Sequence, residues 1–160
     1  MSKHIIKLDA LVNIKPITKN QVKAFDAWND GENLVLAGSA GTGKTFVAMY
    51  LALQASLEKA SPYHKVIVVR SIVPTRDMGY LPGTKEEKVE PFESPYKTIC
   101  LELFDYEKAV YNKLINNHQM EFMTTSFVRG TQLNNAIIIV DEMQNLNFHE
   151  LDSVITRIGQ

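Results

Sequence analysis

The stretch GSAGTGKT, residues 38–45, decides the fold. It fits G-x-x-x-x-G-K-[ST] at every position. It follows the apolar run NLVLA (33–37) and opens the apolar segment KTFVAMYLALQASLEK (44–59). A buried strand, a glycine-rich turn and a helix, in that order, make a phosphate-binding loop. Glycines let the backbone curl so that successive N–H groups face phosphate oxygens, and the helix N-terminus adds a favourable dipole. Gly38, Ser39, Ala40, Gly41, Thr42 and Gly43 would form the cradle. Lys44 is placed to reach the β- and γ-phosphates of a nucleotide, and the Thr45 hydroxyl to help hold Mg²⁺.

A second stretch, AIIIVDEMQN (136–145), runs five apolar residues into two adjacent acids. Charge at the end of a buried strand is costly unless a cation meets it. In phosphate-loop proteins an acid at the end of a nearby strand orients the Mg²⁺ shell, and Asp141 stands where that role requires. Glu142 points elsewhere and suits the polarisation of a water molecule against the γ-phosphate, which favours hydrolysis over transfer to another acceptor. Acids are also ordinary residues of a polar turn after a strand. Gln144 reads equally as a reporter of the γ-phosphate and as a solvated residue at a helix start.

The remaining composition sets the class. A chain of 160 residues, 45% hydrophobic and 22% charged, is one globular domain with a substantial core. The formal charge of −1 gives no global attraction to polyanions, so any nucleic-acid contact needs a local patch. The single cysteine, Cys100, precludes an internal disulfide, and the four histidines show no metal-binding spacing. The longest apolar run, FVAMYLAL (46–53), is far below the ~18 residues that span a bilayer. No N-terminal signal pattern appears, and the expectation is a cytoplasmic protein with no membrane partner.

KVIVVR (65–70) and AIIIV (136–140) read as buried strands, with EFMTTSF (121–127) as a further candidate. Helices are expected from Thr18 to about Trp28, from Lys44 to about Lys59, from Tyr96 to about Asn116 and over FHELDSVITRIG (148–159). Residues 74–95, with four prolines, two glycines and a mixed-charge KEEKVE run, read as an irregular or locally ordered excursion. Short apolar strands alternating with helices predict an α/β fold, a mostly parallel sheet covered by helices on both faces.

Thr18-Lys19-Asn20-Gln21 is a capping box, which by itself explains the threonine and the glutamine. A glutamine amide can also pair bidentately with an adenine edge. Spacing alone leaves both roles open, and they are compatible.

Several segments together resemble the PhoH family of P-loop ATPases, including stand-alone phage-encoded forms. They are PITKNQ, AGSAGTGKT, VRSIVPTRDMGYLPG, FVRGTQLNNAIIIVDEMQN and the closing ITRIGQ, in order from Pro16. The resemblance implies a RecA-like core, ATP and Mg²⁺ as ligands, ATP hydrolysis, and an association with phosphate starvation. It also implies RNA or single-stranded DNA as partners and a homo-oligomeric, hexameric ring. On this template Gln21 falls at the adenine-contacting glutamine, so residues 1–32 would form an adenine-side segment and 33–160 the core of a single P-loop domain. Arg70, Arg76 and Arg129 stand as candidates for polynucleotide or inter-subunit contacts, against the plainer reading of solvated arginines.

The chain departs from the family pattern. Arg70-Ser71 stands where Arg-Pro is usual, Met143 where alanine is usual, and Arg129-Gly130-Thr131-Gln132 where Arg-Gly-Arg-Thr is usual, so the second arginine is missing. Relatives continue beyond ITRIGQ into a strand that lies between the phosphate-loop strand and the Asp-Glu strand. Without that strand the sheet would have a central gap; the favoured expectation is a C-terminally incomplete domain, ahead of a partner segment filling the slot or a rearranged strand order. The leading functional reading is an ATPase doing work on RNA or DNA. The alternative is a nucleotide-responsive assembly or regulatory protein with little turnover. A small-molecule kinase ranks last, because the 74–95 excursion holds a single arginine, Arg76, where such enzymes use an arginine-rich lid.

Overall fold

A computed structural model describes residues 5–71, 85–128, 131 and 133–158. Nine elements follow in chain order: α1 (Lys19–Asn29), α2 (Lys44–Leu57), β1 (Lys65–Arg70), α3 (Lys85–Leu103), α4 (Val110–Asn116), β2 (Met120–Thr124), α5 (Thr125–Val128), β3 (Ala136–Asp141) and α6 (Phe148–Ile155). Short 3₁₀ turns precede α1, at Leu8–Ala10, and follow β3, at Met143–Asn145.

The strands form one parallel sheet in the order β2-β1-β3. Val66, Ile67, Val68 and Val69 of the central β1 are each 0% exposed, because both faces are covered. That is why its sequence reads as a continuous apolar run rather than an alternation. The pleat divides the core in two. Val66, Val68, Met120, Ile137 and Ile139 pack on one face with Met49 and Leu53 of α2, Cys100 of α3 and Leu114 of α4. Ile67 and Val69 pack on the other face with Val128 of α5 and Val154 of α6. The register sets Arg70 beside Asp141, so β1 and β3 end together at the carboxyl edge of the sheet. Helices thus cover both faces, as expected.

Three local expectations are corrected. NLVLA (33–37) pairs with no strand among the described residues. Leu34 and Leu36 pack on the core while Val35 is 77% exposed, so the segment is extended and alternates as a strand does. A strand also needs a neighbour whose N–H and C=O groups align with its own, and none does here. The expected irregular excursion up to Pro95 gives way at Lys85 to α3, which continues through Pro91 and Pro95. Proline removes one helical hydrogen bond and disfavours the preceding turn. The cost is met where the same helix buries Tyr96, Cys100 and Leu103, each 0% exposed. The single helix expected over 96–116 is two, because Asp105, Tyr106 and Ala109 adopt positive φ and reverse the chain between α3 and α4. The Gly-Tyr-Leu-Pro-Gly segment (79–83) lies outside the described residues.

The N-terminal segment straps the α2/α3 face. The Gln119 side chain binds Ile6 twice, accepting from its N–H at 3.0 Å and donating to its carbonyl at 2.8 Å. Val12 N–H donates to the Leu103 carbonyl at 2.9 Å, and Ile14 N–H to the Tyr50 hydroxyl at 3.2 Å. The strap so fixed leads into α1, whose first turn carries Gln21.

Candidate functional site

At the start of α2 the chain makes the glycine-rich turn that its sequence calls for. Gly41 has φ 74° and Gly43 φ 80°. A Cβ at either would meet nothing within 4 Å, so glycine is needed there for the left-handed backbone and not for space. Gly43 is also the N-cap of α2, and a glycine offers no side-chain acceptor to the first turn. No carbonyl or side chain among the described residues takes up the N–H groups of residues 39–46. Free donors at a helix start are an anion site in their own right.

The Lys44 ammonium lies within this loop, donating to the carbonyls of Gly38 at 2.9 Å and Ser39 at 2.7 Å. The Thr42 hydroxyl donates to the Ser39 carbonyl at 2.9 Å, closing the turn from the other side. Ala40 lies exposed at the tip. A cation centred among unengaged N–H donors makes one positively polarised concavity.

Across from it, Asp141 ends β3. Its Oδ1 accepts from the Thr45 hydroxyl at 3.1 Å and its Oδ2 from the Tyr96 hydroxyl at 2.8 Å. The two residues expected to serve one cation are therefore in contact, as a hydroxyl and a carboxylate. Hard oxygen donors suit Mg²⁺, which takes a few protein ligands and completes its shell with phosphate and water. No group of three or more His, Cys, Asp or Glu positioned to hold a metal occurs among the described residues.

Glu142 follows in a left-handed conformation (φ 52°). Its Oε2 accepts from the Gln144 amide, so these two candidates meet each other directly. Arg70, at the end of β1, lays its guanidinium over the Phe92 ring of α3, 5.7 Å from the centroid. It is thus turned onto the protein. Arg76 and Arg129 lie outside the described residues.

On the strap side, Gln21 N–H donates to the Thr18 hydroxyl at 3.2 Å, while Gln21 Oε1 accepts from Ile17 N–H at 2.8 Å. The Thr18 cap is present, but the reciprocal half of the expected capping box is not: the amide oxygen gives one lone pair to Ile17 N–H instead of Thr18 N–H. The second lone pair and the NH₂ remain for another partner. Gln21 borders a half-open cleft of about 320 Å³ lined chiefly by apolar side chains, including Ile14, Ile17, Phe25 and Phe46. Phe46 sits one residue beyond Thr45, so cleft and phosphate loop adjoin.

Tyr96 and the cleft residues escaped the sequence reading. Tyr96 carried only the spacing of a helical core position. Its contact with Asp141 spans 45 positions, and nothing local announces it.

A parallel sheet with a glycine loop opening the helix beside a strand-end aspartate defines a P-loop NTPase fold. The family model described as PhoH-like protein matches residues 13–160, and the chain belongs to that family. It is 37% identical over 161 residues to Protein PhoH2 of Bacillus subtilis, covering 92% of this chain and 34% of that protein. A PhoH-like protein of Mycobacterium leprae is 32% identical over 160 residues, covering 97% of this chain and 45% of the relative. One from Synechocystis is 38% identical over 123 residues, covering 76% and 36%. The chain thus spans less than half the length of these relatives. No helix among the described residues is long and apolar enough to cross a membrane.

Proposed function

We propose that this chain binds ATP with Mg²⁺ and hydrolyses it with water as the acceptor. The observation that carries the reading is the contact of Thr45 with Asp141 at the mouth of the loop that holds Lys44. Residues 38–45 would wrap the triphosphate with backbone N–H groups, and Lys44 would exchange its two loop carbonyls for β- and γ-phosphate oxygens. Thr45 and Asp141 would hold Mg²⁺. When bound, that ion supplies the positive charge that offsets the triphosphate and the Asp141 carboxylate together. Glu142 would polarise the attacking water, with Gln144 fixing its carboxylate until a γ-phosphate draws one of them away. Gln21 would read the adenine edge with its free NH₂ while the base lies in the cleft between Ile14, Phe25 and Phe46.

Work on RNA or single-stranded DNA, assembly into a hexameric ring and a role in phosphate starvation extend this reading. Their support is family membership alone, since Arg70 is folded onto α3. The alternative, a nucleotide-responsive assembly protein with little turnover, draws support from the Glu142 carboxylate being engaged by Gln144.

Phosphate release from Mg-ATP, measured for the chain and for Glu142→Gln, tests the proposal. Turnover in the first, with a loss of about 10²- to 10⁴-fold at retained ATP binding in the second, is expected of a general base. Equal phosphate release from both would remove Glu142 from the chemistry. Hydrolysis indifferent to added RNA and single-stranded DNA would remove the nucleic-acid extension.

A further inference from the structure

We infer that Tyr96 is the positioning residue of the metal site: its hydroxyl fixes the Asp141 carboxylate so that Oδ1 faces Thr45. This rests on the reading of Thr45 and Asp141 as the Mg²⁺-facing pair.

A carboxylate at a strand end turns readily about its last torsion, whose preference is broad and two-fold. Two donors remove that freedom here, one on each oxygen: Tyr96 at 2.8 Å on Oδ2 and Thr45 at 3.1 Å on Oδ1. Thr45 gives Asp141 its one proton and would meet a cation with an oxygen lone pair, so its position follows the loop that receives the ligand. Tyr96 is anchored elsewhere. It comes from α3, is 0% exposed, and its ring packs at a tilt on Phe122 of β2, with centroids 5.6 Å apart. The hydroxyl is therefore held by the core and not by the loop that receives the ligand.

With Tyr96 engaging Oδ2, the carboxylate keeps Oδ1 toward Thr45 and the phosphate loop. Partners that orient metal-facing carboxylates commonly matter about as much as the facing groups themselves. The arrangement also ties α3 to the site, since a shift of that helix would turn the carboxylate.

Tyr96→Phe keeps the ring on Phe122 and removes only the donor. Calorimetric ATP titrations of the unsubstituted chain, Tyr96→Phe, Asp141→Asn and the double variant, each across a Mg²⁺ series and in EDTA, read the effect. The expected result is a Mg²⁺ half-saturation raised about 10-fold in Tyr96→Phe, with ATP affinity in EDTA within about twofold of the unsubstituted chain. In the Asp141→Asn background the tyrosine substitution should add nothing, because the group it orients is gone. A Tyr96→Phe variant with an unaltered Mg²⁺ series, beside an unsubstituted chain that binds more tightly with Mg²⁺, would overturn the positioning role alone. So would additive effects in the double variant, or equal losses with and without Mg²⁺. An unsubstituted chain whose ATP affinity ignores Mg²⁺ would overturn the underlying reading and the inference with it.

Discussion

Thr45 and Asp141 stand 96 positions apart in the chain, and the threonine hydroxyl donates to the aspartate Oδ1 at 3.1 Å. The contact joins the first turn of α2 to the end of β3, so the sheet and the phosphate loop share one corner. Asp141→Asn preserves shape and one acceptor oxygen but removes the charge and the second acceptor. ATP affinity in the presence of Mg²⁺ is expected to fall at least about 10-fold, with little change in EDTA. Equal affinities in Mg²⁺ for the two proteins would exclude Asp141 from the cation site.

The Lys44 ammonium donates to the Gly38 and Ser39 carbonyls, the second of which it shares with the Thr42 hydroxyl. Its charge-assisted bonds to phosphate would contribute about 1.5–3 kcal/mol each over the unliganded arrangement. Lys44→Ala is expected to weaken ATP binding about 10- to 100-fold without unfolding the chain, since the ammonium is no part of the core. Circular dichroism on the same samples checks the fold, and an unweakened affinity would move the phosphates elsewhere.

The two roles of Gln21 separate by substitution. Gln21→Glu keeps an oxygen for Ile17 N–H and loses the NH₂, whereas Gln21→Ala loses both. The alanine variant should cost about 0.5–1.5 kcal/mol of stability through the lost bond from Ile17 N–H. Both should narrow a preference for ATP over GTP by about 10-fold, on the scale of one amide–base pair. Competition binding measures the preference. A preference untouched in both variants would leave Gln21 as a cap alone.

Cys100 is 0% exposed between α3 and the sheet, and burial pushes its thiol up to about 12. The unfolded chain releases that proton near pH 9, while the folded chain keeps it. Stability from this group is therefore intact below about pH 8 and declines as pH rises from about 9 to 12, by up to about 1.4 kcal/mol per pH unit. Urea melts between pH 8 and 11 should show the decline, and Cys100→Ala should flatten it. In native protein the thiol should resist aromatic disulfide reagents until urea unfolds the chain.

Much of this site was legible because its signals are local. The loop GSAGTGKT sits within eight consecutive residues, and its left-handed positions, Gly41 and Gly43, are glycines for a backbone reason. The strands β1 and β3 announced themselves because burial on both faces leaves no polar alternation to blur them. NLVLA misled because an apolar extended run reports burial and not pairing, and it pairs with no strand among the described residues. Helix α3 was hidden by Pro91 and Pro95, whose local penalty is outweighed by tertiary burial of Tyr96, Cys100 and Leu103. The Tyr96–Asp141 bond was invisible for the same reason: it joins two layers of the fold and leaves no mark at either position.

The most direct measurement of the central claim is isothermal calorimetry of the unsubstituted chain with ATP, with and without Mg²⁺. The account predicts one saturable site per chain, tighter with Mg²⁺ and weakened in Lys44→Ala. Absence of saturable heat in both conditions, or binding indifferent to Mg²⁺ and to Lys44, would contradict it.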